Sequence, residues 1–125
     1  MAEQFTPTDS ILMSVKKLVG LPQDYEVFNP DLIYYINGYL NVLNQLGVGQ
    51  NGFGITGNNE TWSEFLGTDA PKLSMALPYV AMRVKRVFDP PANSSVSQAL
   101  KEEADELGWR MNVEVDPGGE FNEVF

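Results

Sequence analysis

The chain has 125 residues, of which 43% are hydrophobic, and a formal net charge of −9. That is one domain's length, with enough apolar content for a core and no apolar run near the ~20 residues of a membrane span. Only eight Lys and Arg are available to neutralise phosphates, and there is no Cys or His; the latter excludes thiol catalysis, an imidazole base and thiolate or imidazole metal sites.

The start, Met1 to Phe5, has neither the basic residues nor the apolar stretch of a signal peptide. Absence of cysteine fits folding in a reducing cytoplasm. A first helix is predicted over Pro7–Val19, with Thr6 as cap, Pro7 at the first position, and Gly20 and Pro22 as stops. Its Ile11, Leu12, Val15, Leu18 and Val19 share one arc, with Lys16 and Lys17 outside it. A connection, Leu21–Asn29, leads to a second helix capped by Asn29, opened by Pro30 and stopped by Gly47 after Leu46. Its apolar residues cover about half the circumference, and the rest (Asn37, Gly38, Asn41, Asn44, Gln45) carries no charge. This pattern predicts a central, mostly buried helix, or one whose second face meets another subunit.

Residues 47–57 hold five of the eleven glycines, with Phe53 and Ile55 as the large apolar groups. Ordering so many glycines is costly, so the loop needs special backbone angles or a surface to settle against. It lacks the lysine and the preceding strand of a phosphate-binding loop. Thr61 and Glu64 then have capping-box spacing for a short helix ended by Gly67 and anchored by Trp62 and Phe65. A third helix is predicted from near Pro71, after a Thr68 or Asp69 cap, to Phe88, with a kink or break at Pro78. Opposite its apolar repeat lie Met75, Tyr79 and Met82 with Arg83, Lys85 and Arg86. A fourth helix, capped among Asn93, Ser94 and Ser95, runs to Met111 on a stripe about 80° wide (Val96, Leu100, Ala104, Leu107, Met111), with Trp109 opposite. Its carboxylates read as a solvated face with the i,i+4 pairs Lys101–Asp105 and Glu106–Arg110. Residues 112–125 read as an acidic tail whose Phe121, Val124 and Phe125 could dock on a partner.

The fold class is therefore mainly α: a bundle of four main helices and one short helix, a Gly-rich loop (47–60), a helical domain over 1–111 and an acidic tail over 112–125. No cofactor, metal or catalytic residue is expected. The candidate assembly interface comprises Phe53 and Ile55 on the loop, the face of Met75, Tyr79, Met82, Arg83 and Arg86, then Trp109, and Phe121 and Phe125 in the tail.

Six short pieces, in order, carry a resemblance. They are Val15-Lys16-Lys17 with Gly20, Pro22 and Asp24-Tyr25; Asn44 to Gly49; Gly52-Phe53 with Ile55; Thr61-Trp62-Ser63 with Phe65-Leu66-Gly67; Phe88-Asp89-Pro90-Pro91; and Trp109-Arg110-Met111-Asn112. Across roughly residues 10–112 the chain resembles the head–tail connectors (adaptors) of long-tailed bacteriophages, of siphovirus type. The departures are Pro78 in the third helix and Gly108 beside the Trp-Arg pair.

The resemblance implies a structural virion protein in the neck, present in the host cytoplasm before assembly. It would form a homo-oligomeric ring, typically twelve-fold, under the portal protein, extend the DNA channel and receive the next neck or tail component. Packaged DNA would pass without sequence-specific binding, and no membrane is involved. The alternatives are a small acidic cytoplasmic binding or regulatory protein, and an enzyme working with carboxylates alone.

Overall fold

The computed structural model describes residues 5–88 and 94–115. In chain order the helices are α1 (Ile11–Val19), α2 (Asn29–Gln45), α3 (Trp62–Leu66), α4 (Leu73–Phe88) and α5 (Ser94–Val115), with a 3-10 turn at Gly67–Lys72. The architecture is a small helical bundle: α1, α2, α4 and α5 are the main helices, α3 the short one. Pro90 and Pro91, expected to terminate α4, and the tail from 116 onward lie outside the described residues.

Helix α1 begins four residues later than the capping pattern predicts. Ser10, not Thr6, is its cap, accepting from the Met13 N–H at 3.2 Å. The residues before it are used otherwise. The Pro7 and Asp9 carbonyls accept from the Ser63 and Trp62 amides, and Ile11 N–H donates to the Glu60 carbonyl, so the arm before α1 is zipped to the entry of α3. Carbonyls engaged with another segment are not free to accept within a helix.

The α3 prediction holds in full. Thr61 accepts from the Glu64 amide, and Glu64 reaches back to the Thr61 amide at 3.1 Å. Trp62 and Phe65 are fully buried, and the Trp62 indole donates to Ser14 Oγ at 2.8 Å, tying α3 to α1.

The hub of the bundle is α4 rather than the expected α2: it packs on α1, α2, the 3-10 turn and α5. It is one helix through Pro78, without the break the proline suggests. Its start lies at Leu73 because Asp69, a candidate cap, accepts instead from the Gly49 amide at 3.0 Å.

Helix α2 takes its first turn at Asn29 itself, with Phe28 in the cap position and no side-chain cap bond. Leu32, Ile36, Leu40 and Leu43 are buried. Helix α5 continues to Val115, past the predicted end at Met111. Its narrow stripe is real: Ala104 and Met111 are buried and Leu107 packs against the core, whereas Val96 is exposed. Gly108 has a packing reason. A Cβ there would meet Tyr79 Cε1 at 3.2 Å, so its absence lets α5 lie close on α4.

Candidate assembly interface

The Gly-rich loop settles against its own chain. Gly47, Gly49 and Gly52 all have positive φ. At Gly49 (φ +84°) a Cβ would fall 2.4 Å from the Phe65 ring, so only glycine fits. The uncharged face of α2 supplies the backbone partners. Asn37 accepts from the Ile55 amide at 2.7 Å and donates to the Ile55 carbonyl at 3.0 Å, while Asn44 donates to the Gly49 carbonyl at 3.2 Å. Gln50 N–H donates to the Phe65 carbonyl at 2.8 Å. Carbonyls and amides that a loop leaves unpaired are thus satisfied by side-chain amides, which explains why that face carries Asn rather than Lys or Glu.

At the far end of the loop, Glu60 accepts from the Thr56 amide and hydroxyl at 3.0 and 2.8 Å and from the Gly57 amide. Slight burial opposes its ionisation, but these hydrogen bonds outweigh it and hold its carboxyl below the ordinary range.

Ile55 is therefore corrected from docking anchor to core residue, at 2% exposure. Phe53 is half-buried, its ring 5.4 Å from that of Phe65.

The Met/Tyr face of α4 is likewise mostly used inside the monomer. Tyr79 is 2% exposed, and Met75 and Met82 pack against the core. Arg83 donates to Asp105 on α5 at 2.7 Å and lies 4.9 Å over the Tyr79 ring, and Arg86 donates to Ser97 at 3.2 Å. These residues clamp α5 to α4; as a free contact face they are withdrawn. Asp105 also accepts from Lys101 at 2.8 Å. The Lys101 bond, then Arg83, hold its carboxyl below the usual range against a desolvation that raises it. Burial lowers the affinity of Arg83 for its proton, but Asp105 and Tyr79 more than restore it.

On this side Trp109 is 47% exposed. It borders a 220 Å³ groove where the C-terminal end of α2 meets α4 and α5, lined by Val42, Leu46, Tyr79 and Gly108 among others. Asn112 closes one end by donating to the Leu46 carbonyl at 3.0 Å. The surface pair Arg110–Glu106, at 2.9 Å, forms as the spacing predicts. Phe121 and Phe125 lie outside the described residues.

Two features escape the sequence pattern. Lys16, placed outside the core arc of α1, is fully buried, and its ammonium donates to the Gln23 and Tyr25 carbonyls at 3.0 and 2.7 Å. Leu18, placed in that arc, is exposed and lines a 540 Å³ apolar groove with Pro7, Pro71, Leu77 and Pro78. The held connection presents an exposed apolar edge that sequence reasoning passed over as a linker: Tyr25, Val27 (66% exposed) and Phe28. Phe28 stacks edge-on with Tyr25 at 5.7 Å and with Phe88 at 5.1 Å.

Among the described residues no three carboxylates stand together as a metal site requires, and no helix is long and apolar enough to cross a membrane. The class this defines is a small helical protein with several exposed aromatic and apolar residues and with Asn37, Asn44, Glu60, Arg83 and Asn112 holding its loops and helices together. The chain matches the family model described as Phage connector protein over residues 11–118, and it belongs to that phage head–tail connector family. No curated protein and no solved structure matches it.

Proposed function

We propose that the chain is a structural connector of the phage neck that assembles into a ring, twelve-fold in the expected form, beneath the portal. There it extends the DNA channel and receives the next neck or tail component, with no enzymatic role. The observation that carries this reading is the family match, which spans nearly all of the helical body. Charge supports it: at −9 the chain offers passing DNA no trapping surface. A cyclic ring needs two different faces per copy. Trp109 with its adjoining groove is one candidate, and Phe53 at the tip of the Asn37-held loop is another. Phe121 and Phe125 in the acidic segment are assigned a contact role on assembly. The same reading places the protein in the virion neck, after a period in the host cytoplasm.

Co-sedimentation with the portal of the same virus tests this. The chain is expected to move with the portal and to saturate at a fixed ratio of copies per portal subunit. A chain that stays at the top of the gradient at every ratio refutes the reading.

A further inference from the structure

The 540 Å³ groove where α1 meets the start of α4 is lined by Pro7, Leu18, Pro71, Ser74, Leu77 and Pro78 among others, and no lining residue is charged. Leu18 stands 43% exposed on its wall. Prolines have little backbone freedom left to lose, so the wall is already ordered for an occupant. Pro78 adds a polar feature. It has no N–H to give the Ser74 carbonyl one turn earlier, so a backbone acceptor at the groove lacks its helical donor. A peptide segment, with backbone amides as well as apolar side chains, suits both features.

The end of α5 lies at the same level. Arg86 on Ser97, Arg83 on Asp105 and Tyr79 against Gly108 show α5 running antiparallel along α4. Both helices rise by the same amount per residue. Counting equally far on from Gly108 and back from Tyr79 therefore brings Val115 level with Lys72, between the lining residues Pro71 and Leu73.

The next residues, 116–125, lie outside the described ones, and their sequence fits the groove. Pro117-Gly118-Gly119 is turn chemistry that allows the chain to reverse. Phe121, Val124 and Phe125 follow. An extended segment of this length reaches about 33 Å, and a helix is about 10–12 Å across, so the rings can pass round the start of α4. Other undescribed residues fit less well. The α4–α5 connection leaves from the opposite end of α4, and within 1–4 only Met1 is large and apolar.

We propose that residues 116–125 fold back over this groove of their own chain, seating Phe121 and Phe125 against Leu18, Leu77 and Pro78. The tether to α5 gives the segment an effective concentration on the order of mM at the groove, which a second copy in dilute solution does not match. The contact goes beyond the connector reading, which gives the two rings a role on assembly only. In the free chain the rings and the groove shield each other from unproductive association until assembly draws the segment away.

The chain has no cysteine, so introduced pairs can be bridged selectively. In the full chain, Ser74→Cys/Asn122→Cys is treated with a short bismaleimide, and the rate of bridging within one chain is read by intact mass. Asn41→Cys/Asn122→Cys, whose α2 position is exposed and away from the groove, is the control. Circular dichroism should show wild-type helix content in both. Bridging to position 74 should be about tenfold faster than in the control and independent of chain concentration. Phe121→Ser/Phe125→Ser, or Leu18→Asp, added to the first pair should slow it about fivefold. Equal rates for the two pairs, or a rate unmoved by both added changes, overturn the proposal. Bridges that join two chains and speed up with concentration overturn it as well, giving the groove to the segment of a second copy. No portal is present in these measurements, so the connector reading stands or falls separately.

Discussion

Asn37→Ala cuts the two bonds that hold the Gly-rich loop at Ile55. In the native chain one carboxamide accepts from the Ile55 amide at 2.7 Å and donates to its carbonyl at 3.0 Å. Ile55 is buried, so water does not freely replace these partners. Two lost bonds, at about 1 kcal/mol for each modest net bond, cost about 2 kcal/mol. Unfolding entropy scales as about 2.1 cal/mol/K per residue, so at this chain length the midpoint should fall by about 8 °C. Asn41→Ala, at an exposed position on the same helix, is the control and should stay within about 0.5 kcal/mol of wild type. Thermal unfolding by circular dichroism measures both, and hydrogen exchange should show faster amides across 47–57 only in Asn37→Ala. A midpoint unchanged in Asn37→Ala would refute the view that α2 holds the loop.

Gly49→Ala should be more damaging, by about 2–4 kcal/mol, because it combines positive φ with a Cβ inside the Phe65 ring; urea denaturation reads the loss. Ile55→Ala should destabilise the isolated chain by about 2–5 kcal/mol, and Phe53→Ala clearly less; equal midpoints for the two would contradict the core assignment of Ile55. Asp105→Asn should cost at most about 1 kcal/mol at neutral pH, since its carboxylate is partly exposed. Asp105 has a lowered folded-state pKa, so its stabilisation is complete above the unfolded value of about 3.9 and disappears as pH falls through the lower folded one. The stability gap between wild type and variant, followed by urea midpoints from pH 6 to pH 2, should close at the acid end.

What could be read in the sequence were features whose partners lie within a turn or two. The Thr61–Glu64 capping box, the Lys101–Asp105 and Glu106–Arg110 pairs and the narrow stripe of α5 are local, and they form as spacing predicts. Features whose partners are distant could not be read this way. Asn37 meets Ile55 across 18 positions, and Trp62 meets Ser14 across 48. Nothing in a helical wheel assigns Lys16 to the carbonyls of a following connection, and its burial depends on that connection folding back. Pro7 misled because a good first helical residue is equally good in a turn, here the one closed by the Asp9 amide on the Thr6 carbonyl, and the pairing with α3 decides between them.

The six short pieces that carry the family resemblance also gain a physical sense. Lys16 reaches Tyr25, Gly49 lies under Phe65, and Asn112 reaches Leu46. Several of them hold one another in place, so much of the recognisable sequence specifies the fold. The exposed large apolar residues, by contrast, lie partly in stretches with little motif character, such as Val27 and Tyr34.

The central claim is tested most directly by electron microscopy of the portal ring incubated with excess chain. The connector account predicts a second ring of density stacked on the portal, sharing its axis and continuing its channel. Bare portals beside unassembled chain, at concentrations where both are folded, would contradict it.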